Sequence, residues 1–356
     1  MNRREILLAA GCCLLPGAGF GQSGAAILTH PLMPAWTAWK ETYLAQDGRV
    51  VDSLQQGASH SESQGYGLLL AATVGDETAF DLIDDWTVAT LAVRDDNLLA
   101  WRWLPTDPRG VSDFNNASDG DLFYVWALLR AADAFDRPEL RDRASAMASD
   151  LATSCIVPHP DQGGRLLFAP AASGFNRDTG IVMNFSYYMS RAMFDIATQT
   201  GITAFATCAT DGEALLADLA ATGLTPDWTE VRAGDLVTAT GLSDAHGYEA
   251  LRVPLFLIWS GRASHPAVAR QAAFHQMAGL SGSMTPTVMD RLTGEVRETS
   301  PDAGYAAIVA LTNCARQGLD GSSVPFFTVD QPYYPATLHL MTLLAIIEAN
   351  PNCIVT

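Results

Sequence analysis

The sequence predicts an all-α protein in which helix pairs close into a ring. Apolar residues recur at spacings of three and four in several segments, as at Leu122, Val125, Trp126 and Leu129, which is the period of an amphipathic helix. Clusters of Gly, Pro, Asp and Asn separate these segments at intervals of roughly 20 to 30 residues, so about a dozen helices fit the chain. Strand signals are sparse, and "GDLVTAT" is the best of them. Because the sequence has no strict repeat, a toroid is favoured over a regular solenoid.

The N-terminal segment has the layout of an export signal. Arg3 and Arg4 precede an apolar stretch over 6–15, and Pro16 then breaks a segment that is too short to span a bilayer. The arginine pair also matches a twin-arginine signal weakly. We therefore expect a signal peptide at 1–24, a single domain at 25–356, and a mature protein in the periplasm or outside the cell. The alternative is a buried N-terminal helix.

The charge balance restricts the choice of partners. The chain has 21 basic and 39 acidic residues among 356, for a formal net charge of −18. Binding to nucleic acid or to anionic lipid depends on clustered Lys and Arg. We therefore expect no nucleic-acid partner and no membrane association in the mature form. A neutral or a cationic ligand remains open.

Four cysteines follow the signal segment, at Cys155, Cys208, Cys314 and Cys353. They are far apart, and neither a CxxC nor a metal-binding histidine spacing occurs, so we expect no metal site. In an oxidising compartment four cysteines allow three disulfide pairings, and buried free thiols are the other possibility.

Two acidic positions stand at predicted helix starts. Glu62 lies in "SHSESQGYGLLLAAT", where Ser59 or Ser61 could cap the helix, and Asp119 lies in "NNASDGDLFYVWALLR", where Ser118 is a natural N-cap. A carboxylate in the first turn is favourable for structural reasons alone. About two helix-loop units separate the positions, so both carboxylates could also meet at one end of a toroid and act together.

These segments resemble glycoside hydrolase family 8. "SESQGYG" is similar to the family's S-E-G-Q-G-Y-G, and "ASDGD" to its A-[ST]-D-[AG]-D signature. The blocks "NFSYY", "GYEALRVPL", "AGYAA" and "YYPATL" follow in the family's order. The resemblance implies an (α/α)6 barrel and inverting hydrolysis of β-1,4-linked sugars without a cofactor.

The resemblance also assigns catalytic roles. Glu62 matches the proton donor, whose pKa must then be raised by burial or by nearby negative charge. We expect the glycines beside it to let a sugar approach the backbone. Asp119 matches the aspartate beneath the reacting sugar. Glu249 takes the place of the base, where much of the family has Asp, and Asp244 is a rival for that role.

Aromatic side chains are expected to bind the sugar, because pyranose faces stack on flat rings. Tyr187 matches a family tyrosine at the reacting subsite, and Arg252 is expected to orient the base or to form a structural ion pair. Two departures from the family pattern are Phe185 in place of Pro and Pro335 in place of an acid. The remaining candidates, each of which could instead be a packing residue, are Trp101, Trp103, Tyr333 and Tyr334.

The leading hypothesis is an exported endo-β-1,4-glucanase, with a β-1,4-glucan as substrate and a cellulose synthase complex as an additional partner. A second hypothesis keeps the family but takes chitosan or xylan as substrate, since an acidic surface would steer cationic chitosan. A third, of a different class, is a non-hydrolytic glucan-binding subunit. The presence of both Glu62 and Asp119 argues against it, because binding alone needs neither.

Overall fold

The computed structural model describes residues 30–279, 284–317 and 324–353. The predicted signal peptide at 1–24 therefore lies outside the described residues. Eleven α-helices occupy the described part of the chain: α1 (Met33–Tyr43), α2 (Ser61–Val74), α3 (Glu77–Leu91), α4 (Ser118–Ala134), α5 (Glu139–Cys155), α6 (Ser190–Thr200), α7 (Ala204–Thr222), α8 (Val253–Trp259), α9 (Pro266–Ala278), α10 (Ala303–Gln317) and α11 (Tyr333–Ala349).

The helices form an (α/α)6 barrel, as predicted. Helix α2 packs on α4, α4 on α6, α6 on α8, and α8 on both α10 and α11. Helix α1 contacts both α11 and α2, which closes the ring. Helices α3, α5, α7 and α9 each pack on the helix that precedes them. Almost every side chain of α2, α4 and α11 is buried, because these helices have neighbours on all sides. No described helix is long and apolar enough to cross a membrane.

Short antiparallel strand pairs lie between the helices of the ring. Strand β8 coincides with the predicted strand "GDLVTAT", and β5 to β8 form one four-stranded sheet in sequential order. The remaining strands pair as β1 with β2, β3 with β4, and β9 with β10. The strands are β1 (Ser59–His60), β2 (Arg102–Trp103), β3 (Ile156–Pro158), β4 (Leu166–Phe168), β5 (Asn176–Arg177), β6 (Gly180–Met183), β7 (Thr229–Arg232), β8 (Asp235–Thr238), β9 (Thr285–Met289) and β10 (Val296–Ser300).

The helix starts differ in detail from those predicted. Ser118 does not cap α4, because its hydroxyl donates to the carbonyl of Ala169. The N-cap of α2 is His60, whose backbone N–H donates to Ser63, while the Ser59 hydroxyl donates to Val50. These serines tie the helix starts to neighbouring loops, which holds both first turns in place.

The cysteines divide into one bonded pair and two thiols. Cys314 of α10 forms a disulfide with Cys353, which follows α11, so the bond joins the last two helices of the ring. Cys155 and Cys208 are buried free thiols. The two possibilities left open by the sequence are therefore both realised.

A close contact between α2 and α4 brings the two acidic helix starts together. A Cβ atom on Gly120 would lie 2.3 Å from the Ser61 hydroxyl oxygen and 2.7 Å from the backbone nitrogen of Glu62. On the facing helix, a Cβ on Gly65 would lie 3.0 Å from the carbonyl oxygen of Gly120. Glycine is needed here because any side chain would force the helices apart.

Asp121, two positions after Asp119, anchors the loops around these helix starts. Its carboxyl accepts hydrogen bonds from the backbone of Leu99 at 3.0 Å and from the Asn116 amide at 2.9 Å. Burial nevertheless raises the pKa of Asp121 to about 7, well above its ordinary value of 3.8. Folding therefore favours the protonated form of this carboxyl.

We predict that the free energy of unfolding falls as the pH rises, because of Asp121. Its contribution is complete below the unfolded-state pKa near 4 and is lost as the pH passes the folded-state pKa of about 7. Asn resembles the neutral acid, so Asp121→Asn should lose less stability than the wild type between pH 5 and 8. Urea denaturation at a series of pH values measures this. Parallel curves for the two proteins would contradict the prediction.

Candidate active site

A cleft of about 480 Å³ opens at the end of the ring where α2, α4, α8 and α11 begin. Helix N-termini carry partial positive charge, so their convergence favours carboxylates at this end. Three of the four helix starts bring residues directly into the cleft. Its lining includes Glu62, Asp119, Glu249, Trp101, Tyr187, Tyr248, Tyr333 and Tyr334.

Arg252, the N-cap residue of α8, is the centre of the site. Its side chain is only 1% exposed, and Nη1 donates to Glu62 at 2.6 Å and to the Tyr66 hydroxyl at 2.9 Å. Nη2 donates to Glu249 at 2.6 Å and to Asp119 at 3.2 Å. One guanidinium thus reaches all three carboxylates that the sequence singled out. The sequence left Arg252 either to orient the base or to form a structural ion pair, and the structure shows it bound to Glu62 and Asp119 as well as to Glu249.

Glu62 and Asp119 share a hydrogen bond, and their pKa values move in opposite directions. Burial raises the pKa of Asp119 well above its usual value, and the negative charge of Glu62 raises it further. Burial also acts to raise the pKa of Glu62, but the charge and hydrogen bonds of Arg252, together with the hydrogen bond from Asp119, outweigh it and lower this pKa. The expectation of a raised pKa at Glu62 is therefore wrong, because Arg252 stabilises its anion. The two shifts favour a proton on Asp119 over one on Glu62.

Glu249 is held from two sides. Besides Arg252, its Oε2 accepts hydrogen bonds from the Ser186 hydroxyl at 3.0 Å and the Asn184 amide at 3.2 Å. These residues belong to the "NFSYY" segment, whose Phe185 is buried against Tyr188. The extra methylene of Glu249, relative to the family's Asp, does not prevent it from reaching the cluster.

Asp244, the rival for the role of base, lies elsewhere. It is exposed and lines a separate cavity beside β8, together with Thr238 and Arg291. The geometry therefore favours Glu249, which joins Glu62 and Asp119 in the cleft.

The aromatic candidates divide into groups. Trp101 lines the cleft, and its indole N–H donates to Asp113 at 2.9 Å, which orients the ring. Tyr187 lies over Arg252, with the guanidinium 5.7 Å from its ring centre. Tyr334 donates to the backbone carbonyl of Tyr248 at 2.9 Å. These three rings are partly exposed toward the cleft and can contact a sugar.

Two of the aromatic candidates contribute in other ways. Trp103 is not among the residues that line the cleft, because its ring packs edge-on against Trp86 and beneath Arg49. Tyr333 is almost fully buried between Trp39 and Tyr43 and forms part of the cleft floor.

The glycines beside Glu62 also act differently from the expectation. Gly65 faces α4, and a Cβ on Gly67 would lie 3.0 Å from Val50 and 3.1 Å from Ile83. Both glycines allow close packing of α2 instead of the approach of a sugar to the backbone. Contacts with buried neighbours therefore account for glycine at these two positions.

Sequence reasoning missed two groups of the site. Tyr66 is buried beneath the cleft, where it accepts the hydrogen bond from Arg252 described above. Tyr248 is half-exposed at the cleft wall, and its hydroxyl donates to Glu298 at 3.0 Å. The sequence could have indicated both tyrosines, because they lie within the motif segments "QGYG" and "HGYEALR". Among the described residues, no three His, Cys, Asp or Glu side chains are grouped so as to hold a metal ion.

Comparison with known proteins identifies the family of the chain. The family model for the glycosyl hydrolases of family 8 matches residues 16–347. An endoglucanase of Cellulomonas uda is 32% identical over 283 residues, which cover 78% of this chain and 77% of that protein. A probable endoglucanase of Novacetimonas hansenii is 31% identical, with 87% and 89% covered.

A solved structure gives the same result for the fold. The endo-β-1,4-glucanase CMCax from Acetobacter xylinum superposes with a TM-score of 0.77 at 30% identity, covering 89% of this chain and 98% of that one. The chain therefore belongs to glycosyl hydrolase family 8.

Proposed function

We propose that the chain is an endo-β-1,4-glucanase that cleaves cellulose-type glucan with inversion at the anomeric carbon. The observation that carries the proposal is the binding of three carboxylates to one buried guanidinium inside an aromatic-lined cleft. Its relatives in the family, which are named endoglucanases, support the reaction and the substrate class.

The proposed acid is Glu62, and its proton comes from the pair it forms with Asp119. In the free protein this proton rests on Asp119, whose pKa is raised by burial and by the charge of Glu62. As the glycosidic oxygen gains negative charge, the proton passes through the shared hydrogen bond to Glu62 and then to the leaving oxygen. Asp119 becomes an anion at the moment when positive charge develops on the sugar ring, which stabilises the transition state.

The proposed base is Glu249, which takes a proton from the attacking water. The hydrogen bonds from Arg252, Asn184 and Ser186 all end on the same oxygen, Oε2. The other oxygen, Oε1, is left to accept the water's proton. Inversion needs one water between the base and the sugar face opposite the leaving group.

A second candidate substrate is chitosan. The cleft lining adds Asp52 and Asp302 to the three carboxylates, and the chain as a whole carries a charge of −18. Both features would attract a cationic polymer. Xylan and a binding role without hydrolysis are the remaining alternatives. A reducing-sugar assay on soluble cellulose derivative, chitosan and xylan distinguishes all four, and we expect the highest rate on the cellulose derivative.

We predict that Glu62→Gln lowers turnover on that substrate by at least ~10² to 10⁴, because the amide cannot transfer a proton. Affinity for oligosaccharides should change little, and a glucosyl fluoride, whose leaving group needs less protonation, should recover part of the rate. Glu139→Gln is the matched control, since Glu139 is an exposed first-turn glutamate of α5 remote from the cleft. That control should keep full turnover and lose at most about 0.3 to 1 kcal/mol of stability. Full turnover by Glu62→Gln would refute the acid role.

We also propose export to the periplasm or the medium, with cleavage near Gly19 to Ala26. The support is the sequence pattern at 1–24. Mass spectrometry of exported protein should show loss of this segment, whereas an intact Met1 terminus in the cytoplasm would contradict export. The motif resemblance supports a cellulose synthase complex as partner, and unchanged cellulose from a strain that lacks the chain would count against it.

A further inference from the structure

The turn that carries Glu249 is held by hydrogen bonds on two sides. It runs over 246–252, from His246 through Glu249 to Arg252. On one side, His246 exchanges backbone hydrogen bonds with Met289 of β9, at 3.0 and 2.9 Å. On the other side, the turn lies against Asp227, which immediately precedes Trp228 and β7.

Asp227 accepts hydrogen bonds from both limbs of this turn through a single oxygen. Its Oδ1 accepts from the backbone N–H of Gly247 at 3.0 Å and from that of Ala250 at 3.0 Å. The two N–H groups flank Glu249. The backbone of Asp227 is itself held by a hydrogen bond to Ala245 at 2.8 Å. One carboxylate therefore sets the path of the chain before and after the proposed base.

Asp227 packs closely against the 246–252 turn. A Cβ on Gly247 would lie 2.4 Å from Asp227 Oδ2, so any side chain at that position would displace the Asp227 carboxylate. Asp227 is 9% exposed, and burial, followed by the negative charge of Glu249, raises its pKa. A buried acid beside a second acid is electrostatically unfavourable. Its hydrogen bonds to the turn offset that cost.

We propose that Asp227 is the positioning residue of the active site, which holds the 246–252 turn so that Glu249 and Arg252 meet in the carboxylate cluster. Asp227 does not line the cleft and acts through Glu249. The inference rests on the proposed function of Glu249 as base. A displacement of about 1 Å in a reacting group can cost about 10²-fold in rate, so the position of this turn has a measurable effect.

A double-mutant cycle tests the proposal, with Asp227→Ala and Glu249→Ala made singly and together. We expect Asp227→Ala to lower kcat on soluble cellulose derivative by about 10²-fold, with a smaller change in KM. In the Glu249→Ala background it should cause a much smaller further loss of kcat, because of the two groups that it positions only Arg252 remains. Asp227→Asn keeps an oxygen that can accept both N–H groups, so it should restore most of the lost kcat.

Asp290→Ala is the matched control. Oδ1 of Asp290 also accepts two backbone N–H groups, from Leu292 at 3.0 Å and Thr293 at 2.9 Å, but in the β9–β10 turn away from the cleft. Thermal unfolding of every variant shows which ones are folded, and Asp290→Ala should leave kcat unchanged.

The possible outcomes separate the two proposals. Wild-type kcat in Asp227→Ala, or losses that multiply in the double variant, would overturn the positioning role while leaving the base assignment intact. An Asp227→Asn variant as impaired as Asp227→Ala, although folded, would also overturn it. Full activity of Glu249→Ala would refute the proposed base, and the positioning role would fail with it.

Discussion

The site depends on one buried cation. Arg252 binds three carboxylates and a tyrosine hydroxyl that come from α2, α4 and the turn before α8. Like charges at such close quarters repel one another, and none could remain ionised in a buried cluster without a compensating charge. Removing one partner of a buried ion pair typically costs about 3 to 5 kcal/mol, because the other charge is left unpaired. The contacts of Arg252 therefore link α2, α4 and the turn before α8, and they also fix the positions of the three carboxylates.

The balance of charge around Arg252 is consistent with the raised pKa of Asp119. A single guanidinium compensates about one of the three negative charges, so retaining a proton on Asp119 reduces the repulsion among the remaining two. The hydrogen bond between Asp119 and Glu62 then connects a proton on Asp119 to the proposed acid. Under the proposed mechanism Glu62 need not be protonated in the free protein, because Asp119 can hold the proton for it.

Close helix packing makes this arrangement possible. Gly65 and Gly120 allow α2 and α4 to meet at their first turns, which brings Glu62 and Asp119 within hydrogen-bonding distance. The third carboxylate arrives on the 246–252 turn. Regular helices thus supply two groups of the cluster, and a turn held by long-range hydrogen bonds supplies the third.

The sequence predicted the helical ring from its periodicity, and its motifs singled out Glu62, Asp119, Glu249 and Arg252, which the structure brings into contact. The expectations that differ from the structure concern residues whose hydrogen bonds, packing or pKa depend on contacts with distant parts of the chain. Ser118 has the chemistry of an N-cap, but its hydroxyl meets Ala169 from a distant loop. Trp103 lies only two positions from Trp101, but its ring packs against Trp86 and Arg49. The pKa shift at Glu62 depended on Arg252, 190 positions away.

The anomeric configuration of the first product tests the central claim most directly. If Glu62 and Glu249 act as acid and base on opposite sides of the sugar, water attacks in one displacement and the configuration inverts. Proton NMR of a β-1,4-glucan during early hydrolysis should then show the α-anomer before the β-anomer. Initial appearance of the β-anomer would mean a retaining reaction, and the roles proposed for the three carboxylates around Arg252 would be wrong.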